Sequence, residues 1–141
     1  MRRFILLIPL YVFLLAGNAR TLAADVTAQS TGILDGQQFK GETGEQGKKD
    51  HHQDTITFRA GLFRSLDCEN WGFGPAPYSA KKEGDTVHFS ATLLSRDRGR
   101  LEWQGTITGD EAKGTFRWLH ERWYWTIERN YWFKGTRHAG S

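Results

Sequence analysis

The side chains that could do chemistry are few, and their surroundings decide against most of it. The chain has one cysteine, Cys68, set between Asp67 and Glu69. A nucleophilic thiol needs a lowered pKa, a base and a group to orient that base. Flanking carboxylates act the other way, because they disfavour a second negative charge. His88 and His120 are the histidines inside the region patterned as folded. His88 alternates out of an apolar face and is expected on the outside of its strand. There is no nucleophile elbow, no phosphate-cradling glycine loop and no zinc-ligand spacing. The carboxylate pairs Glu42/Glu45 and Asp110/Glu111 fall at expected turns and read as solvated. No catalytic residue and no cofactor is expected. For Cys68 three roles stay open: a buried small hydrophobe, an intermolecular disulfide, or a nucleophile.

The densest polar run is Lys48-Lys49-Asp50-His51-His52-Gln53-Asp54. Imidazole suits several divalent metals. Adjacent histidines on a strand point to opposite faces, however, and no further His or Cys lies nearby in sequence. A solvated loop is expected there, with no metal site.

Aromatic side chains are the other chemical resource. They gather toward the C-terminus as Phe116, Trp118, Trp123, Tyr124, Trp125, Tyr131, Trp132 and Phe133. Their faces stack on sugars and apolar ligands, and Trp and Tyr anchor protein interfaces. The alternative use is simple filling, since a small closed sheet has barely more room than its side chains occupy. Read as strands, Trp123 and Trp125 share a face with Ile127, while Tyr124 points the other way with Thr126. Trp132 alternates with Tyr131 and Phe133, so it faces outward if those two are core.

Period-two patterning supplies the elements that must position these residues. Thr86–Leu93 puts Val87, Phe89, Ala91 and Leu93 on one face; Arg100–Thr108 does the same with Leu101, Trp103, Gly105 and Ile107. Ala112–Trp118 repeats it with Ala112, Gly114, Phe116 and Trp118. Such alternation predicts half-buried antiparallel strands, and Glu83-Gly84-Asp85, Asp97-Arg98-Gly99 and Gly109-Asp110-Glu111 predict the turns between them. Further strands are expected over Gln37–Thr43, Asp54–Arg59, Leu62–Leu66 (a hairpin around Ala60-Gly61), Tyr78–Lys82, Arg122–Ile127 and Tyr131–Thr136. No segment carries a 3.6-residue apolar stripe.

An internal echo, aromatic-x-Gly, recurs as Phe39-Lys40-Gly41, Trp103-Gln104-Gly105 and Phe133-Lys134-Gly135. Glycine inside a strand marks a bend or a close backbone approach, and an aromatic two residues earlier can cover the gap. Three copies suit a sheet that coils tightly and closes, which removes exposed edges. Ordinary β-sandwich packing is the alternative. The expected fold is all-β, a small antiparallel up-and-down β-barrel of about eight strands, preceded by a cleaved signal peptide.

The leader sets the compartment. Residues 1–24 hold Arg2, Arg3 and Arg20, no acid, and an apolar run from Phe4 to Ala16. A positive start, a short apolar core and small residues after it are the pattern of a secretory signal, with cleavage after Ala19 or, preferably, Ala23 or Ala24. The run is about 13 residues, short of the ~20 that span a bilayer, and Pro9 interrupts it. Three of the 19 Lys and Arg residues belong to this leader, leaving 16 against 16 Asp and Glu. The net charge of +3 is thus a property of the leader. A neutral remainder excludes the basic footprint of a nucleic-acid binder. The expected organisation is a signal peptide over 1–24, a flexible lead-in over 25–35, one barrel domain over 36–136 and a tail over 137–141. The location is periplasmic or extracellular, with no membrane span after cleavage.

In architecture, residues 36–136 resemble the lipocalin and avidin group of small secreted barrels, although the Gly-x-Trp of the first lipocalin strand is absent. The motifs Leu34-Asp35-Gly36, Phe63-x-Ser65-x-x-Cys68, Gly72-Phe73-Gly74 with Tyr78, and Tyr131-Trp132-Phe133-x-Gly135 resemble small uncharacterised secreted proteins of Gram-negative bacteria. The resemblance implies a recurrent setting for Cys68 and carries no activity.

The role expected on these grounds is non-catalytic binding of a small apolar or sugar-like ligand in a barrel mouth, with Trp71, Tyr78, Trp123 and Trp125 as its walls. A second class is a protein-interaction or inhibitor module presenting Tyr124 and Trp132. A third is a Cys68-dependent enzyme. The chain is expected to be a monomer, or a dimer through Cys68.

Overall fold

The alternating segments pair in chain order. A computed structural model describes residues 32–139, and the expected signal peptide and the first part of the lead-in lie outside the described residues. Eight strands follow one another as β1 (Gln38–Glu45), β2 (His51–Arg59), β3 (Leu62–Ser65), β4 (Ala76–Glu83), β5 (Thr86–Ser95), β6 (Gly99–Thr108), β7 (Glu111–Arg122) and β8 (Trp125–Arg137). One short helix, α1 (Leu66–Asn70), sits between β3 and β4. Every neighbouring pair is antiparallel, and β8 also pairs with β1, so the single sheet closes on itself. Among the described residues no helix is long and apolar enough to cross a membrane.

The inward faces are those the alternation names. Phe89, Ala91 and Leu93 of β5, Leu101, Trp103 and Ile107 of β6, and Ala112 and Phe116 of β7 are all buried. Phe39, Ile56, Phe58, Phe63 and Tyr78 join them from the first four strands. Aromatic contacts run through this core: Phe58 meets Tyr78 and Phe89 edge-on, each with centroids 5.0 Å apart. Each fully buried large side chain stabilises the fold by roughly 1.5–3 kcal/mol before conformational entropy is counted.

The glycine echo has a geometric basis. Gly41 lies opposite Gly135 across the β1–β8 seam, and Gly105 opposite Gly114 across β6–β7. A Cβ on Gly41 would stand 1.9 Å from the Lys134 carbonyl oxygen, so the sheet can close there only without a side chain. Phe133 covers Gly135 as the echo predicts, with its ring 2.8 Å from the Cβ position. At Gly105 the covering ring is instead Phe89 of the adjacent strand, at 2.5 Å, and Trp103 leans over Gly114 at 3.5 Å.

Four expected boundaries differ. The strand expected over Arg122–Ile127 does not form as one piece, because Trp123 and Tyr124 make the two-residue turn between β7 and β8. Pairing runs without a break from Glu111↔Thr136 to Arg122↔Trp125, which leaves those two residues as the loop. Alternating Trp-Tyr-Trp imitates a strand, and no Gly, Asn, Asp or Pro marks the reversal. The lead-in is corrected from Gly32 onward: Gly32–Gly36 is a turn packed on the sheet, with Leu34 only 1% exposed. The polar run expected as a loop is already strand from His51, and the tail expected from 137 begins one residue later, since Arg137 closes β8.

Candidate functional site

The two ends of the closed sheet are finished differently. At one end lie the turns β2–β3, β4–β5 and β6–β7, and the chain entering β1 folds across it. Leu34 inserts into the core, and Asp35 accepts hydrogen bonds from Gly61 N (3.0 Å) and from the Tyr78 hydroxyl (2.8 Å). The same hydroxyl accepts the Leu34 N–H at 3.1 Å. Burial, followed by the bond to Asp35, pushes the Tyr78 phenol up to about 12, so it stays a neutral donor. This end is plugged. A recess of ≈ 320 Å³ beside it is lined by polar and backbone groups, among them Gln37, Asp110 and Arg137.

At the opposite end stand the β1–β2, β5–β6 and β7–β8 connections and the α1 segment. Here the interior opens into a cavity of ≈ 310 Å³ lined by Thr43, His52, Asp67, Cys68, Trp71, Phe73, Arg98, Leu101, Phe116, Trp118, Arg129 and Tyr131. The walls are flat rings. Tyr131 stacks on Phe116 (4.9 Å between centroids, 8° between planes), and Phe116 stacks on Trp103 below it (4.2 Å, 13°). Trp118 fixes its indole by donating to the Arg98 carbonyl at 2.6 Å. The Tyr131 phenol is raised from its ordinary value, first by burial and then by Glu45, so it too is neutral at pH 7.

The floor beside α1 is held by a polar chain. β3 and β4 meet only at Leu62↔Pro77 and Phe63↔Ala76, and the segment between them spreads over the opening. Ser65 caps α1 by accepting the Cys68 N–H at 3.1 Å, and its hydroxyl donates to Asp54 Oδ2 at 2.7 Å. Asp54 Oδ1 accepts the Asp67 N–H at 3.0 Å. Asp54 is buried, and this desolvation raises its pKa above the ordinary carboxylate value despite the hydrogen bonds that favour its charged form. Cys68, 3% exposed, is pushed up to about 12, first by burial and then by the charges of Asp54 and Asp67. At neutral pH it is a protonated thiol, and its burial leaves no surface sulfur for a bridge between two chains.

The expected site residues are divided by the fold. Trp71 stands at the open end, 55% exposed, with the Arg98 guanidinium 5.3 Å from its ring centroid. Tyr78 does not: it is 1% exposed and belongs to the plugged end, a correction that follows from its backbone N–H bonding the Gly61 carbonyl of the β2–β3 turn at 3.3 Å and its hydroxyl bonding Asp35. Trp123 and Trp125 do not line the cavity either; they form an exposed tip with Tyr124, which stacks on Trp125 (5.9 Å, 12°). Trp123 is 93% exposed. The division of Trp123 and Trp125 from Tyr124 into two faces therefore gives way to one cluster. Trp132 faces outward as expected, half-buried over Gly44, with Lys134 Nζ 5.6 Å from its centroid.

Sequence reasoning missed Arg98, Arg129, His52 and Asp67 as lining residues. His52 Nε2 lies 2.7 Å from Asp67 Oδ2, a pair 15 positions apart that no local spacing announces. His51 turns to the other face toward Glu42, at 3.8 Å. Among the described residues no group of three or more His, Cys, Asp or Glu is arranged to hold a metal ion. The Ser65-x-x-Cys68 spacing was the one available signal for the cap. On the outer wall, His88 is exposed, 3.5 Å from Glu83. It borders a broad open depression of ≈ 550 Å³ over the Gly105/Gly114 pair, lined mostly by short polar side chains and lysines. Comparison with protein-family models, curated proteins and solved structures finds no match to this chain.

Proposed function

We propose that the chain is a non-catalytic binding protein of the calyx type: a small β-barrel, lipocalin-like in architecture, that takes a small apolar ligand through its open end. The observation that carries this reading is the asymmetry of the interior. One end is filled by Leu34 and latched through Asp35 and Tyr78, while the other keeps a cavity of ≈ 310 Å³ with stacked aromatic walls. That volume is at the small end of the ~300–1,000 Å³ usual for ligand sites, and a few convergent polar groups among apolar walls complete the pattern. Desolvation of the ligand and of the rings supplies the driving force, and the polar groups at the rim set orientation. The leader pattern of residues 1–24 supports action in the periplasm or outside the cell.

The test is titration with a neutral naphthalene probe such as N-phenyl-1-naphthylamine, followed by probe emission and by quenching of tryptophan. Saturable 1:1 binding that Phe116→Ala or Tyr131→Ala weakens supports the reading. Absence of saturable binding, or binding indifferent to both changes, defeats it.

A second reading, a protein-interaction module, draws on the exposed Trp123-Tyr124-Trp125 tip, whose large aromatic faces have the composition of an interface anchor. A partner lost on Trp123→Ser with the probe still bound would favour it. Trp132, lying flat on Gly44, belongs less to such a surface than the tip does.

A further inference from the structure

The open end carries more positive charge than its own carboxylates engage. Two guanidiniums, Arg98 and Arg129, stand at the cavity rim with a single carboxylate, Asp67. Asp67 is already bound to His52, at 2.7 Å. Arg129 has Glu45 at 3.7 Å, well beyond the ~2.7–2.9 Å of a charge-assisted hydrogen bond. Arg98 has no acidic partner among the described residues, and its guanidinium rests over Trp71. A contact with a ring face supplies no lone pair to its N–H groups, so its donor fork is unspent. Elsewhere Arg117 holds Glu102 at 2.7 Å and Arg137 holds Asp110 at 3.1 Å, while Arg59, Arg96 and Arg122 also lack an acidic partner among the described residues; Arg98 differs from these three in lining the cavity.

Below this rim the wall is aromatic. Tyr131 ends a stack in which Phe116 lies between it and Trp103, so Tyr131 keeps one ring face free of the stack and Phe116 offers its edge to the cavity that the two arginines also line. Guanidinium donors above aromatic side chains suit a carboxylate attached to an aromatic body. We infer that the open end binds small aromatic monocarboxylic acids, the carboxylate at Arg98 and Arg129 and the ring system against Tyr131 and Phe116. This rests on the reading of that end as a ligand site and adds the charge of the ligand to it. The body supplies most of the affinity. The head group, sitting at an exposed rim, supplies orientation and a discrimination of about fivefold against a neutral analogue.

The test compares 2-naphthoate with 2-naphthamide, which has nearly the same shape and no charge, by calorimetry and tryptophan quenching at pH 7. Naphthoate is expected to bind about fivefold tighter, with the difference shrinking at high salt. Arg98→Gln should remove that preference while leaving naphthamide affinity unchanged, and Arg129→Gln, read the same way, serves if the first variant melts early. Arg122→Gln, outside the cavity, should change neither. If naphthamide binds as tightly as naphthoate, or if both arginine variants weaken the two ligands equally, the anion site is refuted and the apolar site survives. If neither compound binds, the ligand reading of the open end falls, and this inference with it.

Discussion

The two ends of the closed sheet are built from similar strands yet solve opposite problems. At the plugged end the polar groups that hold the incoming chain meet one another: Leu34 N and Asp35 share the Tyr78 hydroxyl, and Gly61 N bonds Asp35, although the buried Gln37 Oε1 has no partner among the described residues. At the open end polar groups are left facing outward, and aromatic rings line a space rather than fill one. The plugged end spends its side chains on stability. The open end holds Trp71, Arg98 and Arg129 exposed, a surface that folding alone does not require. Leaving a buried polar group unpaired is costly, so the plug's Asp35 and Tyr78 satisfy each other, whereas a polar group at the rim can wait for a ligand.

The comparison can be broken most sharply at Leu34. Leu34→Ala removes a fully buried side chain at the plug and should destabilise the protein by about 2–5 kcal/mol. Urea unfolding reads it directly. A loss below about 1 kcal/mol would mean that the Gly32–Gly36 turn is not part of the cooperative fold.

Next in size is Tyr78→Phe, which leaves the Leu34 N–H and Asp35 without their common partner. A loss of about 1–3 kcal/mol is expected, with ligand affinity at the far end unchanged. Reduced probe binding would show that the two ends are coupled.

Asp54 sharpens the comparison from the side of pH. Its raised pKa means that the folded chain binds its proton more tightly than the unfolded chain. The associated stability is therefore greatest at low pH and falls as pH rises from the ordinary carboxylate range through the raised value. Glu102 has the opposite sign: hydrogen bonds from Arg117 and Arg100 lower its pKa, so its contribution is present above the ordinary range and lost as pH falls. The difference between wild type and Asp54→Asn, followed by urea midpoint between about pH 3 and about pH 7, isolates the first effect. Wild type should lose ground to the variant as pH rises; parallel curves would contradict the assignment.

The smallest expected change is at the rim. Trp71→Ala should alter stability by no more than about 0.5 kcal/mol, because the side chain is largely exposed. It should nevertheless lower probe affinity. A large loss of stability would turn Trp71 into a structural residue and erase the contrast between the ends.

Much of the sheet was legible beforehand because a strand advertises itself locally. Val87–Leu93 and Leu101–Ile107 alternate without fault, and Gly84-Asp85 and Gly109-Asp110 mark their turns. Even the echo around Gly41, Gly105 and Gly135 pointed to the close approaches that the closed sheet contains. The Trp123-Tyr124 turn was not legible, since its position depends on how far β7 and β8 pair and not on turn-forming residues. Trp71 lies at the opening and Tyr78 at the plugged end, a division that alternation does not give, because it tells which face a residue occupies and not which end of the sheet it is near.

The sequence by itself thus determined strand periodicity, inward faces, most turns and the unfavourable setting of Cys68, all of which follow from neighbours within a few residues. Only the tertiary structure decided that Leu34 plugs one end, that Asp54 reaches across to Ser65 and Asp67, and that Thr43, Cys68, Arg98, Phe116 and Arg129 surround one cavity. Those residues come from five separate parts of the chain. What brings them together is the pairing of β8 with β1: the glycine echo hints that the sheet closes, but the register of that contact between its two ends depends on the whole sheet and not on local pattern.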